Sequence, residues 1–225
     1  MSDSFEMRPI ARIRSDFGSK FGVPRQSGLV DALEAAVVFE EPYRNPDALR
    51  GLEGFSHIWL IWAFHQSQRP EWSPTVRPPR LGGNQRVGVF ASRSPFRPNP
   101  IGLSSVRLDH IAYTDALGPV LHVRGADLVD GTPILDIKPY LPYADSHPEA
   151  LGGFAPAPAE TLEVVIPPQL DQLPPDRREA LRDVLALDPR PRYQQDPDRV
   201  YGFLFAGQEV RFTVDGDRLQ VVDIK

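Results

Sequence analysis

Apolar residues in this chain fall mostly in short runs or alternate with polar ones, and stretches with helical spacing are few. Residues 9–14 read as a first strand. Residues 29–41 are ambiguous, because Val30, Leu33 and Ala36 suit a helix while Val37, Val38 and Phe39 prefer a strand; the second half is read as strand. Residues 56–64 (S-H-I-W-L-I-W-A-F) form a nearly unbroken apolar run of strand length, which predicts a central strand buried on both faces, with Trp59 and Trp62 as core residues. Further strands are expected at residues 87–91, 103–108 and 120–125. Residues 133–138 (P-I-L-D-I-K) alternate, which would put Ile134 and Asp136 on one face and Leu135 and Ile137 on the other. Asn45 before Pro46 looks like a cap followed by proline at the first helical position. Near the C-terminus, Ala180, Leu181, Val184, Leu185 and Leu187 define one face of a helix over residues 176–187. Three strands follow at 201–205, 209–214 and 219–224, turned at Ala206-Gly207 and Asp215-Gly216-Asp217.

This pattern predicts a mainly β protein. Residues 1–147 make one β domain, 148–175 a proline-rich linker, and 176–225 a small α+β unit of too few residues to stand without docking. The 25 prolines favour short strands over a helical architecture. No apolar run approaches the roughly 18 residues of a membrane span, so a soluble, cytoplasmic protein is expected, with no membrane partner. The chain has no cysteine, which rules out disulfides, thiolate metal sites and a cysteine nucleophile. Its five histidines lack the paired spacing of zinc sites, and no metal is expected.

Charge changes the picture in one place. The chain carries −5, yet residues 66–108 hold seven arginines, no lysine and the single acid Glu71, a local +6 that leaves −11 for the rest. Arginine without lysine suits phosphate contacts and base stacking, although a solvated face has the same composition. In the middle of this island, residues 92–102 (S-R-S-P-F-R-P-N-P-I-G) form a polar loop whose Pro95, Pro98 and Pro100 each fix a backbone angle. A rigid polar loop between strands is a candidate site. Two other stretches qualify, the rigid turn Pro24-Arg25-Gln26 and the pair His65-Gln66 where the apolar strand ends, while Asp127-Leu128-Val129-Asp130 before Gly131 reads as a turn. Asp136 is either paired with Lys138 or an arginine, or chemically active.

Familiar catalytic motifs are missing. There is no Gly-x-Gly for a dinucleotide or methyl-donor loop of the Rossmann kind, no Walker phosphate loop and no Gly-x-Ser-x-Gly. Ser92, Ser94 and Ser104 are possible nucleophiles, but nothing in the sequence places them beside a base. Residue-level reasoning therefore reaches a β-rich domain with an arginine-lined loop that meets RNA or another polyanion, and names no reaction.

The run G-V-F-A-S-R-S-P-F-R-P-N-P-I-G-L-S, with L-E-G-F-S-H-I-W-L-I-W-A-F-H-Q before it and L-V-D-G-T-P-I-L-D-I-K-P-Y-L-P-Y-A-D-S after it, closely resembles the TsaA-like family of TrmO-type tRNA methyltransferases. The resemblance covers residues 5–147, and the D-P-R-P-x-Y run near residue 190 is also similar to theirs. It implies a single-sheet β-barrel, S-adenosylmethionine as methyl donor, a homodimer, and N6-methylation of the threonylcarbamoyl-adenosine beside the tRNA anticodon. It further implies donor contacts at Pro24, Arg25, Gln26, His65, Gln66, Arg93, Leu103, Asp127, Leu128, Val129 and Asp130. By analogy with the Asn-Pro acceptors of other adenine N6-methylating enzymes, Asn99 and Pro100 would receive the N6 hydrogen, with Asp136 or Asp130 as the alternative base.

Arg69, Arg77, Arg80 and Arg97 are the expected RNA contacts in the basic island. The C-terminal unit is near neutral, but Arg190, Arg192 and Tyr193 alternate with prolines and would stack on anticodon-loop bases. On this view a chain ending near Ala155 keeps its donor site and loses the tRNA site. The competing reading is a non-enzymatic RNA-binding barrel that uses the same arginine loop to hold phosphates.

Overall fold

The computed structural model describes residues 5–67, 71–170, 173–190, 194 and 196–225. Six strands close into a barrel: β1 (Ala11–Arg14), β2 (Glu34–Phe39), β3 (His57–Ala63), β6 (Ile101–Thr114), β7 (Gly118–Arg124) and β8 (Pro133–Pro139). Their order around the barrel is β1-β2-β7-β6-β3-β8, every pair antiparallel. A tiny separate ribbon pairs β4 (Thr75–Val76) with β5 (Val87–Gly88). Asn45 caps a single 3-10 turn over Pro46–Leu49, its side chain accepting from the Asp47 N–H at 3.0 Å.

Closure explains where the apolar run of residues 56–64 departs from expectation. A barrel strand has one face inside and one outside. Ile58, Leu60 and Trp62 fill the interior, whereas Trp59, Ile61 and Ala63 are only half-covered on the outer face, so β3 is not buried on both faces. Trp59 donates its indole N–H to Asp145 Oδ2 at 2.9 Å, in the short helix α1 (Pro142–Asp145). Opposite Trp62 in β6 stands Gly102, where an added Cβ would come within 2.2 Å of the indole; only glycine lets that ring lie across the neighbouring strand.

Two further expectations are corrected. Residues 87–91 are strand only at β5; Val89–Ala91 then coil into a 3-10 turn, leaving the barrel to resume at β6. In β8, the register shifts between its pairings with Ile61 and Trp62: Ile61 faces Asp136 and Trp62 faces Ile134, so Leu135 is the extra residue of a bulge. Ile134 and Ile137 therefore both serve the barrel core, and Asp136 does not share a face with Ile134.

The second sheet has the order β10 (Tyr201–Phe205), β11 (Gln208–Asp215), β12 (Arg218–Ile224) and β9 (Glu163–Val165), backed by α2 (Pro175–Ala186). The helix buries Ala180, Leu181, Val184 and Leu185 as its spacing predicts. β9 runs parallel to β12, so residues 148–175 are not linker throughout. The core of this sheet also takes Phe17, Val30 and Leu33 from the N-terminal part of the chain. Gly22 allows the same close approach: with φ at 94°, an added Cβ would lie 2.4 Å from the Phe203 ring.

Candidate functional site

The segment 15–28 between β1 and β2 is fastened at both ends and in its middle. Ser15 Oγ donates to the Leu128 carbonyl at 2.8 Å, and the Ser15 N–H reaches Asp130 Oδ1 at 3.1 Å. Asp130 N–H returns a bond to the Phe17 carbonyl at 2.8 Å, and Gly28 N–H reaches Gly125 at 2.9 Å. Phe17 itself is buried edge-on against Phe205, the Ala206 N–H reaches the Asp16 carbonyl at 2.9 Å, and Arg177 of α2 pairs with the Asp16 carboxylate. A cleft of about 160 Å³ runs between Pro24 and Arg25 on one side and Val184, Leu187 and Asp188 on the other.

From this strap the Gln26 side chain accepts from Arg93 of the proline-stiffened loop. Arg93 and the Ser27 backbone both act on the Asp127 carboxyl, which in turn accepts from Ser104 Oγ at 2.6 Å. Ser104 is fully buried and also accepts from the Trp62 indole N–H at 3.0 Å, so a polar relay links the barrel interior to the Arg93 guanidinium. Burial pushes the Asp127 carboxyl above the ordinary carboxylate range, against the opposing pull of Ser104, backbone N–H groups and Arg93. Next to Ser104, Leu103 points outward and is 54% exposed. Leu128 is buried and Val129 half-buried, and the Val129 carbonyl holds the Thr132 hydroxyl at 2.7 Å.

His65 and Gln66 follow β3 on the same side. Lys20 of the strap donates to the Gln66 carbonyl, and burial, then the Arg12 and Lys20 charges, lower the His65 pKa, which keeps the imidazole neutral at neutral pH. Phe64 N–H takes the Pro100 carbonyl at 2.9 Å, tying the end of β3 to the loop. The Asn99 carbonyl accepts from Ile101 N–H at 2.8 Å, while the Asn99 side chain stands exposed.

The strap thus brings together Pro24, Arg25, Gln26, Arg93 and Asp127, with Gln66 tied to it through Lys20 and Pro100 tied to Phe64 at the end of β3; Leu103 stands on the outer face of β6, opposite the inward Ser104. Asp136 is apart from this group. It lies on the outer face of β8 beyond Ile61, roughly 10 Å across two strands from Leu103, and Lys138 neutralises it at 2.9 Å. Asp130 is turned to Ser15 and, at 3.6 Å, to Arg14.

Among the arginines, Arg77 is exposed and Arg80 holds the Ala157 carbonyl. Arg97 does not face solvent as expected of a phosphate contact: its Nη1 points into the loop, at 2.7 Å from the Ser92 carbonyl and 3.4 and 3.5 Å from those of Val89 and Ser94. Arg190 is likewise turned inward, its side chain 11% exposed and its Nε bonded to Asp188 at 2.9 Å. The expected contacts Arg69, Arg192 and Tyr193 lie outside the described residues. Sequence reasoning missed Lys20, Ser27 and the relay role of Ser104. Ser104 carried a signal, being the one hydroxyl among the inward positions Gly102, Ser104, Val106 and Leu108; the other two carried none. Among the described residues no group of three histidine or acidic side chains is placed to hold a metal ion.

Residues 12–146 match the family model for the tRNA-methyltransferase O N-terminal domain, and residues 159–225 that for the TrmO C-terminal domain. The tRNA (adenine(37)-N6)-methyltransferase of Escherichia coli strain K12 is 45% identical over 222 residues, covering 94% of each chain. A Pseudomonas aeruginosa protein, 41% identical over 226 residues and 96% of each chain, carries the provisional name S-adenosylmethionine-dependent methyltransferase RcsF. The crystal structure of TrmO from Pseudomonas aeruginosa superposes with a TM-score of 0.80 at 34% identity, covering 99% of each chain.

Proposed function

The chain belongs to the TrmO family, and from that premise we infer that it methylates N6 of adenosine 37 in tRNA, using S-adenosylmethionine. The substrate base would be the threonylcarbamoyl form of that adenosine. The observation that supports the reading at the level of residues is that Gln26, Arg93 and Asp127, three of the positions at which the resemblance implies donor contacts, are linked to one another and to the buried Ser104.

The groups present suit such a donor. A partly desolvated carboxylate at Asp127 complements an ammonium or ribose hydroxyls, Arg93 complements a carboxylate, and Pro24 and the exposed Leu103 offer apolar contact to a base. When bound, S-adenosylmethionine supplies a methyl group activated by its sulfonium. The rigid loop and the strap then have the task of aligning the acceptor nitrogen and excluding water. An N6 carrying a carbonyl substituent is a weak nucleophile, so an acceptor for its hydrogen lowers the barrier. The exposed Asn99 side-chain oxygen would serve as that acceptor. The Pro100 carbonyl already serves the Phe64 N–H, and its part is to fix the loop. Asp136 is held by Lys138, which leaves Asn99 the better candidate.

Incubating the protein with tRNA and isotopically labelled S-adenosylmethionine, followed by nucleoside mass spectrometry, tests this. Label in N6-methylated threonylcarbamoyl-adenosine is expected. A barrel that only binds RNA would transfer no label and show no thermal shift with the donor, whereas a thousand-fold excess over Kd adds about 4 kcal/mol of stability to an enzyme that binds it. A homodimer and a cytoplasmic location accord with this reading; sedimentation tests the first. Among the described residues no helix is long and apolar enough to cross a membrane.

A further inference from the structure

Two large aromatic side chains belong to neither core. Trp72 is 50% exposed and Phe90 72%, and their rings lie nearly parallel, with centroids 6.3 Å apart and 20° between planes. They do not dangle. Phe90 sits in the 3-10 turn after β5, beside Val89, which is 1% exposed. Trp72 precedes Ser73, whose N–H is bonded to the Phe96 carbonyl at 3.2 Å, and Val89 N–H reaches the Pro74 carbonyl at 3.0 Å. Arg97, locked onto the loop carbonyls, places its guanidinium 5.8 Å from the Phe90 ring centre. Arg86 is pinned to Thr75 Oγ1 at 3.0 Å, and Arg77 is exposed just beyond β4.

We propose that Trp72 and Phe90 form a stacking platform for the unpaired anticodon-loop bases that flank the methylated adenosine. The proposal rests on the tRNA-methyltransferase reading and adds a recognition surface to it. Its argument is chemical. Exposed rings set rigidly among arginines, in a segment with one acid, suit a ligand that combines flat faces with a negative backbone, which is unpaired nucleic acid. An apolar protein partner would have no use for the charge, and a bare phosphate none for the rings. Position fits as well, because Phe90 is three residues from Arg93, which touches the strap over the donor cluster. Drawing one base out of the anticodon stack leaves its neighbours without partners, and the rings would restore that stacking.

The test uses the full chain and a purified cellular tRNA that carries threonylcarbamoyl-adenosine beside its anticodon. In Trp72→Ala and Phe90→Ala the Kd for tRNA is expected to rise roughly five- to hundred-fold, the range for loss of one base-stacking contact. Trp72→Phe and Phe90→Tyr should recover most of the affinity. The slope of log Kd against log salt should stay that of the unaltered chain, because stacking releases no counterions. S-adenosylmethionine affinity, read by calorimetry, should not change, which also shows that the variants fold. Unchanged tRNA affinity would overturn the proposal, and so would a reduced salt slope or a loss of donor binding. A shift of the alanine variants towards smaller species in sedimentation would assign the rings to a contact between copies and overturn it too. If the unaltered chain transfers no methyl group to tRNA, the parent reading fails, and tRNA binding by the ring variants still decides the platform.

Discussion

Arg93 and Asp127 divide the chemistry of the strap cluster between them. Arg93 is exposed enough to meet a ligand and is held by Gln26. Arg93→Ala should therefore weaken S-adenosylmethionine binding by roughly tenfold, the worth of one charge-assisted hydrogen bond, with a smaller effect on tRNA affinity; calorimetry on both ligands checks this. Asp127 is the strained member. Its folded-state pKa is raised, so the fold holds its proton more tightly than the unfolded chain does. The stability it contributes is full below the unfolded value near 3.8 and is lost as pH rises through the folded one. At neutral pH the ionised carboxylate is a cost, and Asp127→Asn should raise Tm there while weakening donor binding. A lower Tm for the variant at pH 7 would show that Ser104 and Arg93 outweigh burial. The sequence displayed the Asp127 motif but not this burden, which depends on Ser104 and Trp62 approaching from two other strands.

At the scale of elements, the proline-stiffened loop behaves as a unit that its own arginine holds shut. Arg97→Ala should loosen it, raising amide hydrogen exchange over residues 89–97 and lowering methylation through disorder of Arg93 and Asn99. Arg77 is the contrasting case. Exposed and outside the loop, it should on replacement by alanine reduce the salt slope of tRNA binding by roughly 0.7 to 0.9 and leave exchange in the loop unaltered. Composition grouped these two residues as equivalent positive charges. Strand positions were legible because period-two alternation reports which face is covered, and the α2 helix because its four buried residues recur at helical spacing. The bulge at Leu135 was not legible: a one-residue slip is decided by the partner strand, here by Ile61 and Trp62, and leaves no mark in the pattern of β8 itself.

At the scale of the whole molecule, the two sheets do not divide the chain cleanly. Phe17, Val30 and Leu33 lie in the first 33 residues yet complete the core beneath β10 and β11. The polar composition of residues 15–28 hides this, since Phe17 and Phe21, four residues apart in a glycine-rich stretch, give no sustained periodicity to read. It argues against an expectation from sequence, that the donor site is complete without the C-terminal unit. A chain ending near Ala155 would expose Phe17 and remove Arg177 from Asp16, releasing the segment that carries Pro24, Arg25 and Gln26. Such a truncated chain is expected to lose S-adenosylmethionine binding along with methylation, measured by calorimetry and label transfer. Donor binding of full strength in the truncated chain would show that the strap keeps its shape on the barrel alone.

The strap's double anchorage also imposes a symmetry on regulation. One short segment is pinned to the barrel through Ser15 and Asp130, and to the second core through Phe17 and Phe205. A molecule that tightens the strap from the barrel side must stabilise the second core's grip on it. By thermodynamic reciprocity, anything that grips or deforms the second core changes the barrel's affinity by the same factor. The enzyme's sensitivity to its donor and the firmness of its C-terminal unit are two readings of a single coupling, and a substitution as remote from the methyl group as Phe205→Leu would be felt there as a change in affinity.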